Sequence, residues 1–143
     1  MADLVYPNSQ STLTWGGYTF QHLAVGGAIV IEPVNPLTAR TNSTGGGTSV
    51  TKRADAGVHN VAIMVQRHSP DDKFMNDRRN DAVPFVADGS AKRAYIEAGT
   101  SKKATVTLSS GSITTQPSTT ENNQDPDDTR TYVIEVRNAV ETF

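Results

Sequence analysis

Gly57-Val58-His59-Asn60-Val61-Ala62-Ile63-Met64-Val65-Gln66, followed after two residues by Ser69-Pro70-Asp71-Asp72, is where the local pattern is clearest. Val61, Ile63 and Val65 alternate with Asn60, Ala62, Met64 and Gln66, and a period of two sends the two sets to opposite faces of a strand. The first set is a core face. The second, polar at its ends and small or flexible between, predicts a half-buried face of the kind that meets another subunit. At Ser69 the pattern changes: serine caps helices, proline is preset for a first helical turn, and Asp71 and Asp72 complement the positive end of a helix dipole. A helix is therefore expected over about residues 70–80, anchored by Phe74 and Met75. Arg78 and Arg79 suit its carboxyl end, and Ala82-Val83-Pro84 closes it.

Toward the amino terminus, Gly16-Gly17 divides an alternating segment at 11–15 from a second at 18–23, a hairpin signal because both glycines tolerate positive φ. Residues 28–32 form a short apolar run compatible with a strand buried on both faces, and Pro33 is expected to end it, having no N–H for a ladder. From 33 to 52 no period survives, and Gly45 to Gly47 argue against a regular element; a loop this long in a small domain is usually functional or disordered. Toward the carboxyl terminus a short strand at 85–87 is expected before an Asp88-Gly89 turn. Further strands follow at 94–98, 104–115 and 129–140, the last with Tyr132, Ile134 and Val136 on one face. The fold class is thus mainly β: a small antiparallel barrel or sandwich with one flanking helix at 70–80 and a long hairpin loop at 33–52, in one domain over 1–143.

Composition removes several functions. The 143 residues include no cysteine, which excludes disulfides, thiolate metal sites and a cysteine nucleophile. Thirteen basic against 15 acidic side chains give a net charge of −2, which argues against a dedicated nucleic-acid or membrane-surface binder. Serine and threonine make up about a fifth of the chain, a composition that favours strands and turns over helices. The first residues lack the basic start and apolar run of a secretory signal, no apolar stretch is long enough to cross a bilayer, and a cytoplasmic origin is expected. In that compartment Asn42-Ser43-Thr44 is a coincidental match to the glycosylation pattern.

No catalytic constellation stands out. His22, His59 and His68 lack metal-ligand spacing, no serine sits in a nucleophile elbow, and Gly45-Gly46-Gly47 lacks the lysine of a phosphate loop. The acidic stretch 121–128 offers oxygen ligands without the EF-hand pattern and reads as a solvated loop. Lys52-Arg53, Lys92-Arg93 and Lys102-Lys103 form pairs but no stripe, and no aromatics interleave with them. The residues point to a structural or interaction protein, not an enzyme, with no cofactor and no metal.

Taken in order, the run Ala28-Ile29-Val30-Ile31-Glu32 entering a long loop, the strand 57–66, the Ser69-Pro70-Asp71-Asp72 helix start, Val83-Pro84-Phe85-Val86 and the closing Thr131-Tyr132-Val133-Ile134-Glu135-Val136 resemble a bacteriophage tail tube protein of the contractile-tail type. The resemblance runs from Ser11 to Ala139 and rests on pattern, not on a diagnostic motif. It implies a β-barrel or sandwich with one helix, assembled as hexameric rings stacked into a hollow tube that conducts phage DNA into the host. The partners it implies are the chain itself, a tail sheath protein, and baseplate and terminator proteins. DNA would pass through without specific binding, no membrane is involved, and the location is the virion tail, assembled in the host cytoplasm. In such tubes a long hairpin reaches the adjoining ring. That loop would be 33–52 here, with Pro33, Val34, Pro36, Leu37 and Arg40 as stacking candidates, because the tip at 41–49 is unusually polar. The candidates for the lumen are Asn60, Gln66, Thr105, Thr107 and Ser109, on the less apolar strand faces, and a weakly acidic chain suits a channel that must not grip phosphates. A tail terminator, a capsid decoration protein and a type VI secretion tube subunit are the alternative readings.

Overall fold

The computed structural model describes residues 3–7, 11–25, 28–121 and 128–143. Among them the chain forms strands β1 (Leu4–Val5), β2 (Thr12–Trp15), β3 (Tyr18–Thr19), β4 (Ile29–Pro33), β5 (Thr38–Asn42), β6 (Thr48–Lys52) and β7 (His59–Gln66), then helix α1 (Pro70–Arg79). Strands β8 (Ala87–Glu97), β9 (Thr100–Thr115), β10 (Thr129–Val136) and β11 (Asn138–Thr142) complete it. Nine strands join one antiparallel sheet in the order β3-β2-β8-β9-β10-β7-β4, with β1 added to β8 and β11 to β9, while β5 and β6 pair only with each other.

The long sheet folds over itself because two of its members turn a corner. The first part of β9 pairs with β8 and β11, and its last residues pair with β10. Between them Ser110 adopts a left-handed φ of 52° and donates its N–H to Asp88 Oδ1 at 2.8 Å. Alongside, β10 and β11 are separated at Arg137, whose N–H donates to the Ser109 carbonyl at 2.8 Å. Gly111 sits inside this corner. A Cβ there would lie 2.9 Å from Trp15 Nε1 and 3.0 Å from Ile134 Cγ2, so only glycine lets the backbone approach the tryptophan. The result is a two-layer sandwich whose core holds Leu13, Trp15, Val61, Ile63, Val65, Leu108, Tyr132, Ile134 and Val136, with Met75 from the helix.

The expected core faces of β7 and β10 are the ones buried, and the Gly16-Gly17 hairpin is present with φ of 62° and 80°. The helix spans Pro70–Arg79, and Ser69 Oγ accepts from the Asp72 N–H as its cap. It rests on an aromatic cluster: Phe74 stacks on Tyr18 with centroids 4.5 Å apart, and Trp15 meets Phe74 and Phe85 edge to face.

Three readings of local structure need correction. β4 is not buried on both faces: Ile29 and Ile31 pack against the core, while Val30, on the opposite face, is exposed. Pro33 ends the strand as expected, as its last residue, tolerated at an edge that requires no donor. The expected turn at Asp88-Gly89 lies inside one continuous strand, where a register shift between Ala87 and Gly89 absorbs the break. The final strand is divided at Arg137, and β1 carried too short a signal to be anticipated. Asp71 and Asp72 lie in the first turn of α1, as expected, and both are buried.

Candidate assembly surfaces

The two aspartates show how the helix is held. Asp71 accepts the Tyr18 hydroxyl at 2.7 Å and the N–H groups of Gln21 and His22 at 3.0 and 2.6 Å, all from the segment after β2. Asp72 accepts the Tyr132 hydroxyl at 2.7 Å and the His68 N–H at 2.9 Å, with Arg130 Nη1 at 3.5 Å. Successive residues of a helix point about 100° apart, so adjacent carboxylates reach different strands. Burial, and then the hydrogen bond to the carboxylate, push the Tyr18 and Tyr132 phenols up to about 12. Every named donor is structural, and neither carboxylate faces an open site. Among the described residues no group of three or more His, Asp or Glu side chains is placed to hold a metal ion. The acidic stretch 121–128 lies mostly outside the described residues. No helix among them is long and apolar enough to cross a membrane.

The segment 33–52 is regular where the sequence pattern predicted none. β5 and β6 pair from Thr38↔Lys52 to Asn42↔Thr48. Ser43 closes the tip: its N–H donates to the Gly47 carbonyl, its carbonyl accepts from the Gly46 N–H, and its Oγ accepts from the Gly47 N–H at 2.9 Å. Glycine at 45–47 thus makes the turn instead of breaking the element, and threonine-rich flanks supply the strands. Arg40, Val50 and Lys52 share one face of this ribbon, and Ala39, Thr41, Ser49 and Thr51 share the other. All ten strand residues are exposed, so the ribbon projects from the domain.

Its stem is fixed. The Val34 N–H donates to the Val58 carbonyl, the Arg53 N–H to Leu37, and the Asn35 amide to Asp55. Arg53 pairs with Asp55 at 2.9 Å and holds that carboxyl below its ordinary range. Pro33 lies at the end of β4, Val34 and Pro36 are exposed in the stem, Leu37 is 64% exposed, and Arg40 donates to Asn42 Oδ1 at 3.1 Å.

The remaining candidates fall on two separate faces. Register places Thr19, Thr14, Ser90, Thr107 and Val140 in one transverse row across β3, β2, β8, β9 and β11, and Thr12, Lys92, Thr105 and Thr142 in the next. Ser109 continues this outer face beside Asn138. It is a broad hydroxyl-rich wall, with Thr14 and Thr19 bonded to each other at 3.2 Å. Asn60 lies instead on the other layer, in a row with Glu32 and Glu135, and Gln66 sits at the far end of β7 opposite Thr129.

A cleft of about 570 Å³ opens between β4 and the layer of β8, β9 and β11. Leu4, Ile29, Ile31, Ala104, Val106 and Phe143 are among its walls. Tyr95, Glu97, Ala104 and Val106, on β8 and β9, are only half-buried there. The period-two pattern of Tyr95 and Glu97 contains the signal, but it cannot show where the covering layer stops.

No protein-family model matches the chain, and no curated protein matches it in sequence. Solved structures match in fold. A chain of the sheath–tube complex of an extracellular contractile injection system, PVC, in the extended state aligns with a TM-score of 0.65 and 8% identity, over 96% of this chain and 90% of that one. The tube-terminating cap of the anti-feeding prophage gives 0.64 and 15% identity over 96% and 90%. The sheath/tube terminator of PVC in the extended state gives 0.63 and 12% over 96% of both chains. The chain has the fold found in contractile injection system tube and terminator assemblies.

Proposed function

We propose that this chain is a structural subunit of a contractile tail or injection particle, polymerising as stacked rings into its inner tube. The reading is supported above all by the fold's match, over nearly the whole chain, to components of sheath–tube and tube-terminating assemblies. The projecting β5–β6 ribbon agrees with it. A fully exposed ribbon gains stability only when a partner covers it, and a neighbouring ring is such a partner. Pro33, Val34, Pro36 and Leu37 would carry the apolar part of that contact and Arg40 a polar part. The hydroxyl wall bearing Thr105, Thr107 and Ser109 would face the lumen, and in a phage tail that lumen would conduct DNA. Sheath, baseplate and terminator proteins would be the other partners.

A terminator role is the second reading, favoured by the two terminating components among the similar structures. Negative-stain microscopy of concentrated protein separates them: long tubes support a tube subunit, isolated rings support a terminator, and monomers at every concentration overturn both. Deleting residues 41–49 should leave the subunit folded and abolish polymerisation; unchanged tubes would remove the ribbon from the stacking contact.

A further inference from the structure

We propose that the apolar turn at 82–86 of one copy seats in the cleft between β4 and the β8–β9–β11 layer of a second copy. This contact deepens the tube reading and rests on it for its biological setting. The turn Ala82-Val83-Pro84-Phe85-Val86 carries no charge, and Val83 and Val86 are 77% and 60% exposed. Phe85 is turned inward, its ring edge-on to Trp15 and covered by the Arg78 guanidinium at 5.1 Å. That anchor fixes the backbone and holds the two valines outward. Among the described residues no main-chain hydrogen bond ties 82–86 to another element.

The cleft offers apolar surface in turn. Aliphatic side chains from Leu4 to Val106 line it together with Tyr6, Tyr95 and Phe143, the last 87% exposed, while Ser11 and four charged side chains complete the wall. Apolar surface left in water costs about 25 cal/mol per Å², which both regions recover if they meet. They cannot meet within one chain. Val86 immediately precedes β8, whereas the cleft's residues on that strand run from Ala91 to Glu97, about 16 to 36 Å away at a rise of about 3.3 Å per residue. A knob and a different socket, set apart on one molecule, make a head-to-tail contact, which repeats until it closes as a ring or runs on as a filament. The margins match in kind, with Arg79, Asp81 and Asp88 beside the knob and Lys92, Arg93, Glu97 and Glu141 at the cleft.

The chain has no cysteine, so introduced thiols report without interference. Oxidising the Val86→Cys/Ala104→Cys double variant should give a ladder of disulfide-linked multimers on denaturing gels. A Thr51→Cys/Ala104→Cys variant should stay largely monomeric there. Val83→Asp/Val86→Asp should lose self-association while its far-ultraviolet circular dichroism is unchanged. Rings or tubes that form without a ladder from the Val86→Cys/Ala104→Cys variant overturn this contact and leave the tube reading standing, as does a stronger ladder from the Thr51→Cys/Ala104→Cys variant. A ladder from a protein that never forms rings or tubes supports the contact and overturns the tube. A chain monomeric at every concentration overturns both.

Discussion

Tyr132 on β10 donates its phenol hydrogen to Asp72 Oδ1 in the first turn of α1, a 2.7 Å bond between two side chains that are 0% and 3% exposed. One residue earlier, Asp71 accepts the hydroxyl of Tyr18 on β3. The single helix is therefore clasped to both layers by neighbouring carboxylates, and Phe74 and Met75 pack beneath that clasp.

Asp71→Ala leaves the Tyr18 hydroxyl and the Gln21 and His22 N–H groups without their acceptor. An unmade buried hydrogen bond costs about 1–3 kcal/mol, so a loss of about 3–5 kcal/mol in unfolding free energy is expected for the set. Urea denaturation measures it, with Lys73→Ala on the exposed helix face as a control expected to stay within about 0.5 kcal/mol. A loss below about 1 kcal/mol for Asp71→Ala would mean that the carboxylate is not what holds the helix.

The same clasp sets an alkaline limit. Both phenols are raised from 10.0 to about 12 in the folded chain, so folding favours their protonated form. The contribution is complete below pH 10, where the unfolded phenols are also protonated, and is lost as pH rises toward 12. Stability followed from pH 8 to 12 should fall more steeply above 10 for the parent chain than for Tyr18→Phe/Tyr132→Phe. Parallel curves would show that the phenols do not carry that linkage.

Alternation alone exposed the core faces of β7 and β10, because Val61, Ile63, Val65, Tyr132, Ile134 and Val136 are buried by a single sheet layer whose period is two. The helix was legible from Ser69 and Pro70, whose preferences are local. The burial of Asp71 and Asp72 was not, since their donors come from Tyr18 and Tyr132, 53 and 60 residues away. The strands within the long hairpin loop at 33–52 are not legible, because both faces of the ribbon are solvated and no hydrophobic alternation marks it. The cleft was hidden for the opposite reason. Tyr95, Ala104 and Val106 alternate like a covered strand, and only the topology reveals that the cover ends.

Gly111→Ala places a methyl group against Trp15, Ile134 and Val136 at the corner of the sandwich. Overpacking of that kind costs about 1–3 kcal/mol, and here the obstructing atoms belong to the best-buried side chains. Gly45→Ala, where a Cβ meets nothing within 4 Å, is the matched control and should change little. Thermal unfolding of the two variants checks this, and equal midpoints would show that β9 can shift to relieve the contact.

Lysine on the hydroxyl wall tests the proposed lumen. Thr107 lies between Ser90 and Val140, in a row without charge, and Thr105 and Ser109 extend the same outer face. Each added cation facing a channel would engage phosphates and release counterions, so retention of duplex DNA should become steeply salt-dependent. Thr105→Lys/Thr107→Lys/Ser109→Lys should therefore assemble normally and hold DNA at low salt, releasing it as salt rises. In a phage tail the same change should slow ejection. Asn60→Lys/Gln66→Lys is the competing placement, on the other layer. If that pair retains DNA and the threonine set does not, the acidic row of Glu32 and Glu135 lines the channel and the hydroxyl wall faces outward.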